Sequence, residues 1–238
     1  MLLRVENASK SYGALKVTQD VSFTVNEGET LGILGPNGAG KTTLFNLISG
    51  DVGLDQGAVY FDGENVTALR PFQRCRAGIG RSYQVPHPFG NMSVFENLVT
   101  AACFGGDMSE KEAYQVAEEV LEATGLTEYA NQPAGGMTLL NRKRLELARA
   151  LATRPKLLLL DEIAGGLTEP EAVQLVDELK RIKANGTTMI WIEHVVHALM
   201  SIADRLLVIN FGEKLAEGLP EEVMNDPEVK RVYMGIEA

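Results

Sequence analysis

The sequence predicts an α/β fold, in which a mixed sheet with flanking helices is interrupted by a helical insertion. Three observations predict this fold. The apolar run at residues 31–34 passes through a glycine-rich loop into a helical pattern that begins at Lys41. The run at 157–160 is apolar at every position, as in a parallel strand that is covered on both faces. Between these strands, apolar residues from 92 to about 130 follow helical spacing, which predicts the insertion.

Composition places the chain among ordinary globular proteins. Its 238 residues suffice for one large domain or a core domain with an inserted subdomain, and 45% of them are hydrophobic. The net charge of -10 disfavours a general affinity for nucleic-acid phosphates, so no nucleic-acid partner is expected. We expect neither a signal peptide nor a membrane span, because no apolar run approaches roughly 18 residues. Cys75 and Cys103 lack metal-site spacing and are expected to be reduced bystanders in a cytoplasmic protein.

Two half-buried strands are predicted near the N terminus, because residues 2–5 and 21–25 alternate apolar with polar side chains. Between them, residues 11–13 form a short turn that carries Tyr12. This aromatic residue has two interpretations, a stacking platform for an adenine ring or an aromatic that closes a hairpin. The residues alone leave both open.

The glycine-rich stretch from Gly35 to Thr42 fits the phosphate-binding pattern G-x-x-x-x-G-K-[ST]. Glycines let the backbone point successive N–H groups at one oxyanion, and the following helix adds its positive dipole end. Lys41 can then neutralise the β- and γ-phosphates, while the Thr42 hydroxyl can bind Mg²⁺. The alternative is a simple strand-to-helix turn with a surface lysine. The strand before the loop and the helix after it disfavour that alternative, because the motif requires both.

Further elements follow the loop. The patterns predict helices at 42–49, 70–77, 142–151, 168–184, 220–225 and 227–234, and strands at 57–61, 78–84, 187–192, 204–209 and 214–217. An irregular loop is predicted at 85–90, where two prolines and Gly90 fall.

Two acids, Asp161 and Glu162, end the apolar run at 157–160. Acids at the carboxyl end of a strand lie where open α/β sheets place their ligand crevice. This is the Walker B form, in which Asp161 would hold Mg²⁺ through water and Glu162 would orient or activate the attacking water. Solvated acids at a strand end are the alternative, which the phosphate-binding pattern disfavours. His194 similarly follows the strand at 187–192 and could contact the γ-phosphate, whereas His87 and His197 are interpreted as surface residues.

Taken in order, these motifs resemble those of ABC ATPase subunits. The match includes Tyr12, the glycine-rich loop, Gln84, the helix at 142–151, the Walker B acids and His194. More narrowly, the chain resembles the ATPase of branched-chain amino acid importers of the LivG type, through residues 35–50, 81–84, 144–151 and 232–235. This resemblance implies a P-loop NTPase core with an N-terminal antiparallel β subdomain and an inserted α-helical subdomain.

The resemblance also implies a role for each matching residue. Tyr12 would stack on adenine, and the phosphates would lie on Gly35, Pro36, Asn37, Gly38, Ala39, Gly40, Lys41, Thr42 and Thr43. Thr42, Gln84 and Asp161 would bind Mg²⁺. Glu162 would be the catalytic base, and His194 the γ-phosphate sensor. The implied cofactors are ATP and Mg²⁺.

The resemblance further implies one nucleotide-binding domain over residues 1–238. Within it, residues 1–84 and 155–238 would form the RecA-like core and β subdomain, and residues 85–154 the helical subdomain. The helical subdomain would receive a helix from a transmembrane permease. A second ABC ATPase subunit would close head to tail around two ATP molecules, and a periplasmic or extracellular solute-binding protein would act indirectly. The chain would be cytoplasmic and peripheral on the inner face of the cell membrane.

One motif departs from the family. The signature Leu-Ser-Gly-Gly-Gln falls, by its spacing from the helix at 142–151, on the residues Met137, Thr138, Leu139, Leu140 and Asn141. Both glycines are leucines, which places a side chain where the partner's γ-phosphate should lie. The stretch 134–137 looks similar but lies one helical turn too early. We therefore expect a heterodimer, in which the site that this chain completes for its partner is weaker. Ile163, where the family has proline, is a smaller departure with little expected effect.

Two other function classes fit the sequence less well. A soluble ABC ATPase of DNA repair would carry long coiled coils, and one of translation usually carries two cassettes; this sequence has neither feature. A non-catalytic nucleotide-binding regulator would lack Glu162 or Lys41, and both are present. The cargo is not determined by the ATPase, so branched-chain amino acids, urea, amides and aromatic acids stay open.

Overall fold

The computed structural model describes residues 1–234. They form two compact units, one built from residues 1–74 and from Thr188 onward, the other from Cys75–Thr187. The subdomain boundaries expected at 85 and 154 stay a prediction. Gly235, which contributes to the sequence resemblance, lies outside the described residues.

The strands and helices alternate along the chain. The strands are β1 (Leu3–Tyr12), β2 (Leu15–Val25), β3 (Thr30–Leu34), β4 (Gln56–Phe61), β5 (Glu64–Asn65), β6 (Ile79–Arg81), β7 (Leu157–Asp161), β8 (Thr188–Ile192), β9 (Arg205–Asn210) and β10 (Glu213–Gly218). The helices are α1 (Lys41–Ser49), α2 (Pro71–Ala77), α3 (Val94–Gly105), α4 (Glu110–Ala123), α5 (Leu139–Ala152), α6 (Glu169–Ala184), α7 (Val196–Met200), α8 (Pro220–Asn225) and α9 (Pro227–Met234).

The first unit contains two groups of strands. β1 pairs antiparallel with β2 and with β4, and β5 extends this sheet. The other group is mixed, since β3 runs parallel to β8 and β9 while β10 returns antiparallel to β9. Every residue of β3 and of β8 is buried, as their continuous apolar runs require. The predicted α/β class and the antiparallel N-terminal sheet are confirmed.

Arg74 anchors the end of α1 in this unit. Its side chain is only 1% exposed, and its guanidinium donates to the carbonyls of Leu47 (2.7 Å), Ile48 (2.8 Å) and Thr67 (2.8 Å). The last carbonyls of a helix have no partner within the helix, so an arginine there satisfies them. Gly50 ends α1 at φ +85°, where a Cβ would lie 2.8 Å from the Arg74 Nε atom. The helix that follows the glycine-rich loop is therefore fixed at its far end.

The second unit combines two parallel strands with a helical cluster. β6 pairs parallel with β7, from Ile79 opposite Leu157 to Arg81 opposite Leu159. α3, α4 and α5 pack around a shared apolar core. Capping boxes start α3 at Ser93 and α4 at Ser109, where the cap hydroxyl and a glutamate three residues on satisfy the first N–H groups. The helical pattern predicted from 92 to about 130 is thus confirmed as two helices.

Some element bounds differ from the prediction. β1 reaches Tyr12 instead of stopping near residue 5, because irregular pairing after Val5 breaks the alternation that marks a strand in the sequence. α5 begins at Leu139 rather than at 142, since Thr138 caps it. The short helix α7 was not predicted. Within residues 1–234, no helix is both long enough and apolar enough to cross a membrane.

Candidate functional site

The glycine-rich loop connects β3 to α1 in the first unit. Gly38 and Gly40 take left-handed backbone angles, with φ of +80° and +100°. A Cβ on Gly40 would lie 2.3 Å from the Val17 carbonyl oxygen, and one on Gly35 would lie 2.4 Å from the Ile209 carbonyl oxygen. These positions require glycine, because any side chain would collide with the backbone. The loop therefore has the tight curl that a phosphate-binding backbone needs.

Lys41 lies against this loop. Only 5% of the residue is exposed, and its Nζ atom donates to the carbonyls of Gly35 (2.7 Å) and Pro36 (3.1 Å). The ammonium is therefore folded back over the loop from the first position of α1. Thr42 beside it is exposed, and Thr43 is half-buried. This end of α1 combines a cation, helix N–H groups and a hydroxyl, a combination that suits a phosphate with its metal ion.

The same unit contains two further predicted site residues. β3 and β8 are parallel neighbours, with Ile33 opposite Ile192. Their carboxyl ends therefore share one edge of the sheet, which brings His194 to the side where the glycine-rich loop begins. The His194 side chain is exposed, and the backbone N–H of His194 donates to the buried Glu193 carboxylate at 2.9 Å. Tyr12 ends β1 with an exposed ring.

The predicted acidic site lies in the second unit, after β7. Asp161 is buried and lies 3.4 Å from the Arg81 guanidinium. Glu162 has a left-handed backbone with φ of +46°. Its carboxylate accepts a hydrogen bond of 2.5 Å from the Gln84 side-chain amide. The structure thus brings together Gln84 and Glu162, which are 78 residues apart in sequence.

Lys143 also contacts this acidic site, although no sequence motif singles it out. The residue is only 4% exposed. Its ammonium donates to the carbonyl of Gln84 at 3.0 Å and to that of Glu162 at 3.1 Å. One signal could have revealed it: Lys143 lies three residues after Leu140 and four before Leu147, on the apolar face of α5.

The residues predicted to form a degenerate signature, 137–141, span the start of α5. Thr138 caps the helix and accepts from the Asn141 N–H, and Met137 is buried. Leu139, the first helical residue, is 44% exposed, whereas Leu140 is 8% exposed. The similar-looking stretch Ala134–Gly136 forms a separate 3-10 turn before the helix. The two leucines that the spacing aligns with the family's glycines therefore occupy the first turn of a helix.

Comparisons with known proteins agree with these features. Residues 18–165 match the family model described as ABC transporter, and residues 213–238 match that of the branched-chain amino acid ATP-binding cassette transporter. The lipopolysaccharide export system ATP-binding protein LptB of Haemophilus influenzae is 36% identical over 98% of this chain and 97% of that protein. The high-affinity branched-chain amino acid transport protein BraF of Pseudomonas aeruginosa is 35% identical over 98% of both chains. A crystal structure described as the ADP conformation of an ATP-binding cassette of an ABC transporter superposes with a TM-score of 0.87 at 33% identity, covering 99% of both chains.

Proposed function

Because this chain belongs to the ABC transporter family and is one of its ATPase subunits, we propose that it powers the uptake of branched-chain amino acids or related small polar solutes. The observation that carries the proposal is the match of residues 213–238 to the branched-chain amino acid family model. The similarity to BraF across both chains supports it. The similarity to LptB supports a second candidate, the ATPase of a lipopolysaccharide exporter.

In this proposal the glycine-rich loop binds the phosphates of ATP. The backbone N–H groups around Gly38 and Gly40 surround the β-phosphate, and Lys41 leaves its loop carbonyls to reach the β- and γ-phosphates. Thr43 adds a hydrogen bond from α1. Tyr12 stacks on the adenine ring, which its exposed position allows.

The residues present fit a Mg²⁺ ion, which retains several waters and takes one or two protein oxygen ligands beside the phosphates. We propose the exposed hydroxyl of Thr42, the amide oxygen of Gln84 and the Asp161 carboxylate as its ligands, the last through water. When bound, the ion would neutralise charge that develops on the phosphate oxygens.

Glu162 is proposed as the base for hydrolysis. A water molecule attacks the γ-phosphorus, its proton passes to the Glu162 carboxylate, and the bond to the ADP oxygen breaks. The hydrogen bond from Gln84 holds that carboxylate in place. His194 donates to the γ-phosphate oxygens.

The partners follow from the same proposal. ABC ATPase subunits work with transmembrane permeases, and the helical subdomain at 85–154 would dock one from the inner face of the membrane. Exposed apolar side chains at Tyr83, Val85 and Phe89 support such a contact. A solute-binding protein would deliver the cargo outside. A soluble ABC ATPase of a non-transport system is the alternative, and purification with permease subunits from the native membrane distinguishes the two.

We further propose that the transporter contains two different ATPase subunits. Leu139 and Leu140 stand where glycines let the helix approach the partner's γ-phosphate. Since Leu139 is the exposed one, Leu139→Gly should raise the ATPase rate of the assembled transporter more than Leu140→Gly does. Unchanged rates in both variants would count against the asymmetric arrangement.

Nucleotide binding is tested most simply with the purified full chain and calorimetry. ATP with Mg²⁺ should bind, and Lys41→Met should weaken the affinity about 10-fold or more, because a charged hydrogen bond contributes about 1.5–3 kcal/mol. Lys214→Met is a suitable control, since Lys214 is an exposed lysine of the same unit that pairs with Glu217 and donates to the Ser22 carbonyl. Equal ATP affinities of the wild-type chain and Lys41→Met would exclude the loop as the phosphate site.

A further inference from the structure

The turn between β9 and β10, formed by Phe211 and Gly212, contacts the glycine-rich loop directly. The Gly212 N–H donates to the Ala39 carbonyl at 2.9 Å. β2 holds the turn through Gln19, whose backbone N–H donates to the Gly212 carbonyl at 2.8 Å. The Gln19 side-chain amide donates to the Phe211 carbonyl at 3.0 Å. The turn therefore links the loop to β2 through the backbone.

Two glycines bring these three segments together at one point. A Cβ on Gly212 would lie 2.6 Å from the Val17 carbonyl oxygen, and a Cβ on Gly40 would lie 2.3 Å from the same oxygen. The α-carbon of Gly212 would in turn lie 3.7 Å from that Gly40 Cβ. The Val17 carbonyl thus packs against both the turn and the loop, and neither glycine position has room for a side chain.

Backbone contacts hold the turn, because its one side chain contributes little packing. Phe211 is 80% exposed. Phe211 and Gly212 both have positive φ, +48° and +80°, which is the type I′ geometry of a two-residue hairpin. A phenylalanine at positive φ is uncommon. Its conformation is set by the hydrogen bonds to Gln19 and Ala39.

We propose that the Phe211–Gly212 turn positions the glycine-rich loop for phosphate, and that Gly212 is a positioning residue of the nucleotide site. Ala39 immediately precedes Gly40 and Lys41, the groups assigned to the phosphates in the proposed function on which this inference rests. A shift of Ala39 would therefore also move Gly40 and Lys41. Misplacement of a binding group by about 1 Å can cost a large factor in affinity or rate.

The competing explanation is that Gly212 serves only to form its hairpin, and the chain offers a matched control for it. Asp62 and Gly63 form the turn between β4 and β5 in the same unit, with φ of +50° and +83°. A Cβ on Gly63 meets nothing within 4 Å. Asparagine tolerates positive φ, so Gly63→Asn and Gly212→Asn differ mainly in the contact with Val17.

The experiment measures the affinity of the purified full chain for ADP and, by displacement, for pyrophosphate. Gly212→Asn should weaken both about 10-fold, whereas Gly63→Asn should stay within about twofold of wild type. Pyrophosphate has no base, so a weaker affinity for pyrophosphate places the effect at the phosphate groups. A lowered melting temperature alone would not weaken that affinity. Equal affinities in the two variants, with wild-type binding intact, would overturn the proposal.

A second variant covers the case in which Gly212→Asn fails to fold. Gln19→Met keeps every backbone hydrogen bond and removes only the donor to the Phe211 carbonyl. It should weaken ADP about threefold, and the exposed Gln56 supplies the control Gln56→Met. Unchanged ADP affinity in Gln19→Met would overturn the proposal in that case. A wild-type chain that binds neither ligand would instead overturn the proposed function itself.

Discussion

Replacing Lys143 with methionine should destabilise the acidic site specifically. The side chain is buried, and its ammonium donates to the carbonyls of Gln84 and Glu162. Methionine fills a similar volume but donates nothing. Lys143→Met therefore leaves two carbonyls without this donor while removing a buried charge.

The size of this destabilisation depends on how exposed the two acceptor carbonyls are. A hydrogen bond from a charged donor contributes about 1.5–3 kcal/mol, and the Glu162 carbonyl keeps a second donor, the Gly165 N–H. Gln84 is exposed, so water can replace the ammonium there, whereas Glu162 is only partly exposed. Removing the ammonium also relieves the cost of burying its charge. We therefore expect a loss of about 1–2 kcal/mol in the free energy of unfolding, mostly from Glu162.

Urea denaturation and amide hydrogen exchange measure this effect. The Glu162 carbonyl also accepts from the Gly165 N–H at 3.1 Å, so the Gly165 amide should exchange about 10-fold faster in Lys143→Met. Arg142→Met is the control, because Arg142 is the exposed neighbour on α5 and donates to the Met137 carbonyl at 2.9 Å. A wild-type urea midpoint together with unchanged Gly165 exchange would refute this reasoning.

Two further predictions concern the first unit. Arg74→Met should lower the free energy of unfolding by about 3–5 kcal/mol, because each buried carbonyl left unpaired costs about 1–3 kcal/mol and those of Leu47 and Ile48 lose this donor, as does the part-buried carbonyl of Thr67. Urea denaturation checks this, and a loss below about 1 kcal/mol would contradict it. Burial raises the pKa of Tyr233 to about 12, against an opposing effect of the Gly35 backbone. The folded state therefore favours the neutral phenol. The contribution of Tyr233 to the free energy of unfolding is complete below the pKa of the unfolded state, about 10, and is lost as the pH rises to about 12. Melting temperatures from pH 9 to 12 should fall less steeply in Tyr233→Phe, and identical slopes would contradict the assignment.

The predicted fold depended on patterns within single elements, and these were reliable. The runs at 31–34 in β3 and 157–160 in β7 are apolar without interruption, and every residue of both strands is buried. Glycine spacing located the loop, because Gly38 and Gly40 need backbone angles that other residues avoid. Where local pattern and tertiary pairing conflicted, the prediction was wrong, as in the length of β1.

Residues that act over long sequence separations could not be predicted in the same way. Lys143 and Gln84 are 59 residues apart, and Gln19 and Phe211 are 192 apart. A sequence shows that a lysine lies on an apolar helix face but not which carbonyls it reaches. The contact between Gly212 and Ala39 similarly depends on two strands whose adjacency only the folded chain establishes.

Glu162→Gln tests whether Glu162 is the base of an ATP-hydrolysing site. Glutamine preserves the size of the side chain but cannot accept a proton as the carboxylate does. A general base contributes about 10²–10⁴ in rate, so the variant should keep wild-type ATP affinity and lose at least 100-fold in turnover of the assembled transporter. Turnover within about twofold of wild type, with ATP bound normally, would contradict the claim.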